Sequence, residues 1–518
     1  MARVYDGGEF GLTQYDFEAS DEGEVHKMKT IISIVRQEPG YGEGRENPYY
    51  RPSEKYPEYL WEELGEVNNI VYNSVREALR MQGWDAVHFG TKRWNPFGEI
   101  ISKGDTVLIK PNLVMDYNQS GEGNECLFTQ PDVVSPVIDY VVIALGGTGK
   151  IFIGDAPMQE CDFEHLIRNS GYDKLLSYYH MKGVDITLVD MRGLRTRVCS
   201  GVRIQETSKS KIGKEIDLGT QSEHAKSNAN PKLFRVTNYS PKLMNAHHTD
   251  TKHEYCISPY ILSADVIINM PKPKSHRKAG MTGALKNFVG INVRKEYLPH
   301  HTKGALMKCG RGGDEYLFPN VFRQMLSAVI DRRNECISDR KYKQARLYQT
   351  VIKILSRVVK LTKRDCYSEG SWYGNNTISK TIMDLNKIVL FADKNGTMQD
   401  KMQRRIIIIA DMIVCGEKEG PVAPSPKPVG IIAAGTDQAA FDKTIALLMG
   451  FDPEKIPSLV NAYKLNGKYN FNNQKKEIII HSNDENLNNK KLEELTAKDR
   501  LNFKPSEGWR GHIEKLDD

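Results

Sequence analysis

The sequence predicts an α/β fold: a mostly parallel sheet with helices on both faces, plus a helical insertion. Three observations carry this. Apolar runs of four or five residues recur along the chain. They alternate with segments whose apolar residues fall at helical spacing. The runs are continuously apolar instead of alternating with polar residues, as in strands buried on both faces.

The elements follow in order. Residues 1–65 read as a polar, turn-rich arm, typified by Gly40-Tyr41-Gly42 and Asn47-Pro48-Tyr49-Tyr50-Arg51-Pro52. Val67–Met81 has helical spacing and stops at Gly83. Gly104-Asp105 leads into a strand at Thr106–Ile109. Pro131–Leu145 reads as a helix, with Pro131 suited to its first turn and Gly146 to its C-terminal end. Further strands are Lys150–Ile153, Asp185–Val189, Asp265–Ile268, Ile406–Ala410 and Val429–Ala433, and Gln438–Met449 is a helix closed by Gly450. The α/β core therefore spans 66–318 and 366–460. Residues 190–260 within it are polar and mixed, with strands among them. Residues 319–365 form the Arg- and Lys-rich helical insertion, and 461–518 a polar, peripheral tail.

Composition narrows the class. With 39% hydrophobic and 27% charged residues of both signs, the chain is globular and not disordered. No apolar run reaches the ~20 residues that span a bilayer, and Met1-Ala2-Arg3 is not followed by the apolar core of a signal peptide. The expected setting is cytoplasmic, with no membrane partner. The eight cysteines, Cys126, Cys161, Cys199, Cys256, Cys309, Cys336, Cys366 and Cys415, contain no CxxC pair. Neither a disulfide framework nor an iron–sulfur cluster is expected.

The net charge of +6 is unevenly placed. Lys272 to Arg311 carries ten Lys/Arg and one acid, Glu296, leaving the rest of the chain net negative. This is one concentrated basic segment, not the general basicity of a nucleic-acid binder.

Ligands of open α/β sheets bind outside the carboxyl ends of the strands. Five predicted strand ends carry polar residues: Lys110-Pro111-Asn112, Gly154-Asp155-Ala156-Pro157, Asn269 through His276, Asp411, and Gly435-Thr436-Asp437. Together they point to a shared site. The basic loop Asn269–Gly290 is the richest. Its glycines let backbone amides approach a ligand closely, and its cations suit phosphate or carboxylate.

The leading reading is an enzyme acting on an anionic small molecule. Lys110, Lys272, Lys274 and Lys286 bind the anion, with Lys286 also at the reacting centre, and Asn112, Asn269 and Asn287 orient it. His276 is the acid/base, because its reference pKa suits proton transfer near neutrality. Asp155 is its partner, and Asp411 and Asp437 are candidate ligands for a divalent metal. The alternative is a non-catalytic protein whose basic loop docks an acidic partner or polymer. The sequence leaves oligomeric state, substrate and reaction open.

Other features weigh less. Gly146-Gly147-Thr148-Gly149-Lys150 lies between a helix and a strand, the reverse of a phosphate-binding loop, and reads as a helix stop. His247-His248, Asp250, His253 and Glu254 lack a recognised metal spacing and read as a surface loop. Trp372-Tyr373-Gly374-Asn375-Asn376 suits either stacking on a sugar or base, or core packing. Asp384-Leu385-Asn386 and Asp442 fall in helical patterns, as caps or structural ion pairs.

Several pieces together resemble the domain of unknown function family 362. They are Gly104-Asp105 with Val107–Leu113, Ala264–Asn269, Lys274-Ser275-His276, and Met281-Thr282-Gly283-Ala284-Leu285-Lys286-Asn287. Trp372–Asn375, Asp384–Asn386, Glu419-Gly420-Pro421, Gly435–Asp437 and Leu448–Pro453 extend the likeness over roughly residues 100–460. The resemblance implies no particular reaction. Some relatives carry ferredoxin-type cysteine clusters, which this chain lacks. His276, Gly280, Gly283 and Lys286 are also spaced like a stretch of lactate-racemase-like proteins, which use a nickel pincer nucleotide. That likeness ends at four residues and brings no cofactor with it.

Overall fold

The computed structural model describes residues 29–42, 50–199, 202–207, 213–306, 312–362, 369–472 and 476–516. Residues 1–28 and 43–49 of the expected arm, with Cys309 and Cys366, lie outside the described residues.

A ten-stranded sheet forms the centre. Its strands are β1 (Lys29–Arg36), β2 (Thr106–Pro111), β3 (Lys150–Asp155), β4 (Ile186–Asp190), β5 (Val266–Met270), β6 (Lys274–His276), β7 (Gly280–Thr282), β8 (Arg405–Glu419), β9 (Ala423–Gly435) and β10 (Glu477–Ser482). The order across the main path is β10-β1-β9-β8-β5-β2-β3-β4. β8, β5, β2, β3 and β4 run parallel, as do β1 and β10, while β9 opposes both its neighbours. The hairpin β6–β7 joins β8 through one parallel bridge, Lys274 to Gly416. The mostly parallel sheet is the predicted architecture.

The helices that position the site are α1 (Ile70–Met81), α2 (Pro131–Leu145), α3 (Ala284–Asn287), α4 (Val321–Ser338), α5 (Tyr342–Leu361), α6 (Thr377–Phe391) and α7 (Gln438–Met449). Both faces of the sheet are covered. Leu108, Ile267 and Ile408 pack with α6 and α7. Their neighbours Val107, Ile109, Ile268 and Ile407 pack with α1 and α2. Successive side chains of a strand point to opposite faces, so each run has to be apolar throughout. Gly146 closes α2 at φ 57°, the left-handed turn that favours glycine. Smaller antiparallel pairs lie outside the sheet: Leu194–Cys199 with Val202–Thr207, and Lys214–Asp217 with Glu254–Ile257. Among the described residues no helix is long and apolar enough to cross a membrane.

Two terminal segments differ from the sequence reading. The arm supplies β1, whose Ile32 and Ile34 are fully buried between β9 and β10. Its run Thr30–Val35 is short and contains Ser33, whose hydroxyl donates to Ala78 O at 2.8 Å. The tail supplies β10 and the buried Trp509, whose indole N–H donates to Arg277 O at 2.8 Å. Two strand ends also differ. β8 continues past Asp411 to Glu419, so Asp411 is mid-strand. β9 runs antiparallel to β8, which carries Asp437 to the edge opposite that of Lys110 and Asp155.

The buried position of β1 generates a prediction. Ile34→Ala should lower stability by about 2–5 kcal/mol, the usual cost of such a cavity. Urea unfolding followed by tryptophan fluorescence and by circular dichroism checks this. A single shifted transition is expected, whereas an unshifted midpoint would mean that β1 is not part of the cooperative unit.

Candidate functional site

The site rests on a buried ion pair. Lys110, on β2, donates from Nζ to Asp155 Oδ1 at 2.8 Å, Pro111 O at 2.9 Å and Asn287 Oδ1 at 3.1 Å. That uses all three ammonium protons. Asp155 ends β3, and its carboxylate also accepts from the amides of Ala156 (2.9 Å) and Leu113 (2.8 Å). Burial pulls the Lys110 pKa down, against the opposing pull of Asp155.

A chain of amides extends from this pair. Asn287 donates to Asn269 Oδ1 at 2.7 Å, Asn269 to Gln438 Oε1 at 3.1 Å, and Gln438 to Asn386 Oδ1 at 2.9 Å. Asn386 donates in turn to Leu285 O at 3.0 Å. Asp442 closes the arrangement by accepting from the amides of Ala284 (2.6 Å) and Leu285 (2.9 Å) at the start of α3. Two glycines make room for it. A Cβ on Gly283 would lie 2.2 Å from Asp442 Oδ1, and one on Gly290 would lie 2.0 Å from Asp155 Oδ1.

Beside this network is a cavity of about 250 Å³. His276, Lys278, Lys286, Lys295, His300 and Asn112 line it, with apolar walls that include Val236 and Leu298. Two carboxylates, Asp155 and Glu160, also line it. Both are already paired, Asp155 with Lys110 and Glu160 with Arg203 at 2.6 Å. The cavity therefore holds cations with no uncommitted carboxylate to answer them.

The three lysines differ in how they are held. Lys278 donates to Thr237 Oγ1 at 2.8 Å and Glu369 O at 2.6 Å, and Lys295 donates to Ala156 O at 2.8 Å. Lys286 is half-buried and lines the cavity, and among the described residues its amine makes no hydrogen bond or ion pair. Burial pushes its pKa down to about 7, helped by Lys295, Lys110 and Lys278. Burial holds Lys278 and Lys295 at about 8 each.

The histidines take opposite tautomers. His276 Nδ1 accepts from the amides of Lys278 (3.0 Å) and Ala279 (3.1 Å), so its proton sits on Nε2. Burial and the surrounding cations, Lys286 first among them, hold it neutral, well below the usual range. His276 is thus a hydrogen-bond donor, not the acid/base expected from its reference pKa. His300 donates from Nδ1 to Leu298 O at 2.7 Å, which leaves Nε2 with a lone pair. Burial and then Lys278 lower its pKa to about 3. Two further groups on the cavity are buried and unanswered among the described residues, Asn112 Oδ1 and Thr282 Oγ1.

The structure therefore gathers His276, Lys286, Asp155, Asn112 and Asn287 from the predicted set. Lys110 and Asn269 stand behind the cavity and hold its wall. Lys272 and Lys274 point elsewhere. Lys272 pairs with Asp411 at 2.9 Å beside the Tyr41 hydroxyl, and Lys274 donates to Leu127 O. Asp411 also accepts from Gln130 N at 2.9 Å, so these contacts commit its oxygens. Asp437 caps α7 through the amides of Ala439 (3.1 Å) and Ala440 (3.0 Å). Asp411 is mid-strand and Asp437 at the far edge, so the two do not meet in the shared site expected of them. Among the described residues no three His, Cys, Asp or Glu gather as a metal site.

The remaining candidates are structural. His248 and His253 are buried, not on a surface loop, and meet through Nδ1 at 3.2 Å. Trp372 is buried and donates to Asp314 O at 2.9 Å. Asp384 accepts from Glu223 N at 2.7 Å and Tyr255 OH at 2.9 Å. The sequence reading missed Lys278, Lys295 and His300 as site residues. The first two were visible only as charges in the basic segment, and His300 carried no local signal.

The fold and this cavity define an α/β protein with a lysine-lined pocket beside the carboxyl ends of parallel strands. The model of the domain of unknown function DUF362 matches residues 107–218 and 219–446, and the chain belongs to that family. It is also similar to a thylakoid-associated protein of Synechocystis sp., 28% identical over 193 residues. That alignment covers 37% of this chain and 41% of the relative's length.

The close approach at Gly290 is testable. Gly290→Ala places a Cβ against Asp155 and Lys110, and overpacking of this kind costs about 1–3 kcal/mol. A lowered urea midpoint is expected. An unchanged midpoint would show that the Lys110–Asp155 pair yields without cost.

Proposed function

We propose that this protein is an enzyme acting on a phosphorylated or carboxylated small molecule held in the Lys278–Lys286–Lys295 cavity. One observation carries the reading. Asn112 Oδ1 and Thr282 Oγ1 are buried and unanswered among the described residues, beside the half-buried Lys286, around one cavity whose carboxylates are already paired. Buried polar groups are normally satisfied, so a cluster of exceptions calls for a ligand. An anion offsets the mutual repulsion of the lysines, and Asn112 orients it. The His276 Nε2–H is aimed to stabilise negative charge growing on a substrate oxygen. The alternative, docking of an acidic partner or polymer, needs an exposed basic face. The basic segment is instead largely buried, which favours the small molecule.

Proton linkage gives the test. An anion raises the pKa of Lys286, Lys278 and Lys295 from about 7 to 8 toward their ordinary value, so binding takes up protons. Affinity is therefore greatest below pH 7 and falls as pH rises through these values. Without ligand the sign reverses. Folded-state pKa values below the unfolded one weaken the fold at low pH, and that penalty is relieved as pH rises. Phosphate and pyruvate should raise the melting temperature by mass action at pH 6.5, and much less at pH 9. Lys286→Ala should lose most of the increment. No shift with any anion, or an undiminished shift in Lys286→Ala, refutes the anion site.

A further inference from the structure

Of the three lysines on the cavity, two have donor contacts that fix their amines. Lys278 is held by Thr237 and Glu369, and Lys295 by Ala156. Lys286 is the exception, and it stands on α3 one residue before Asn287, which the amide network anchors. A charge meant only to hold an anion gains from fixed hydrogen bonds. An amine left unbonded in a site walled by other cations has the setting of a nucleophilic lysine, where neighbouring charge and loss of water favour the free base.

We propose that Lys286 attacks the carbonyl carbon of an anionic aldehyde or keto acid and forms an imine with it. This rests on the anion-site reading above and names its substrate class. An anion without a carbonyl engages all three lysines, whereas with a carbonyl substrate Lys278 and Lys295 hold the carboxylate or phosphate and Lys286 reacts as its free base. The Lys286 nitrogen lone pair forms the C–N bond as the carbonyl π bond opens onto oxygen. His276 Nε2–H hydrogen-bonds that oxygen, and one proton passes from the nitrogen to the oxygen through solvent in the cavity, giving a carbinolamine. The C–O bond then breaks. The oxygen leaves as water with the second amine proton, and nitrogen keeps the C=N bond. Both amine hydrogens end in the water, and nothing is oxidised or reduced. His276 suits this part because its Nδ1 is taken by two backbone amides, which leaves the proton on Nε2.

The experiment uses the full chain with glyoxylate or pyruvate and sodium cyanoborohydride, which reduces an imine to a stable secondary amine. Intact mass should show one adduct per chain, and peptide mapping should place it on Lys286. The adduct should form faster at pH 8 than at pH 6, as the amine loses its proton. Excess phosphate should slow it. Lys286→Arg keeps the charge but removes the nucleophile, so labelling should fall to the level of surface lysines. Adducts scattered over the surface, or equal labelling of Lys286→Arg, overturn the proposal. If Lys286→Arg does not fold, the map of the wild type decides alone. A phosphate-induced melting shift without an adduct sinks the imine and leaves the anion site standing. Absence of both sinks the anion site as well.

Discussion

The Lys110–Asp155 ion pair is the constraint on which the site depends. A buried charge is tolerated only when its partner and its hydrogen bonds are complete. Lys110 meets that demand through β3, its own backbone turn and Asn287. Asn287 belongs to α3, so completing the ion pair also fixes that helix. Asp442 at its N-terminal end and Asn269 beside it leave α3 little freedom to turn. Lys286 is consequently directed into the cavity by its neighbour's bonds and not by its own.

The same constraint sets the electrostatics. The two carboxylates on the cavity are spent on Lys110 and Arg203, which leaves three lysines, Arg277 and two neutral histidines facing a small volume. The fold tolerates this by letting the lysines approach neutrality. Such a site is prepared for an anion before one arrives, because the groups that would answer it are already in place and little reorganisation remains.

The sheet was legible in the sequence because its central strands are buried on both faces and read as unbroken apolar runs. β1 was not, because Ser33 interrupts a short run and the surrounding composition is polar. β9 was recognised, but its direction was not. Period-2 patterns carry no sign for parallel or antiparallel pairing, so Asp437 was assigned to the wrong edge. Within the site, His276, Lys286 and Asn287 stood out through their dense local grouping. Lys272 and Lys274 have the same residue type and charge, yet they turn to Tyr41 and Leu127. Residue type shows what a side chain can do, and the hairpin β6–β7 decides where it points. His276 shows the same limit, since two backbone amides change a nominal base into a donor.

The pairing of β1 with β9 joins Ser33 to Ala434, some 401 residues along the chain. Loop-closure entropy makes so distant a contact slow to form, and during synthesis β1 emerges long before its neighbours on either side exist. Its apolar isoleucines are then exposed on the growing chain until β9 and β10 have left the ribosome. β1 therefore waits longer for both of its neighbours than any other strand of the sheet, and its two edges stay open to other pairings in that interval.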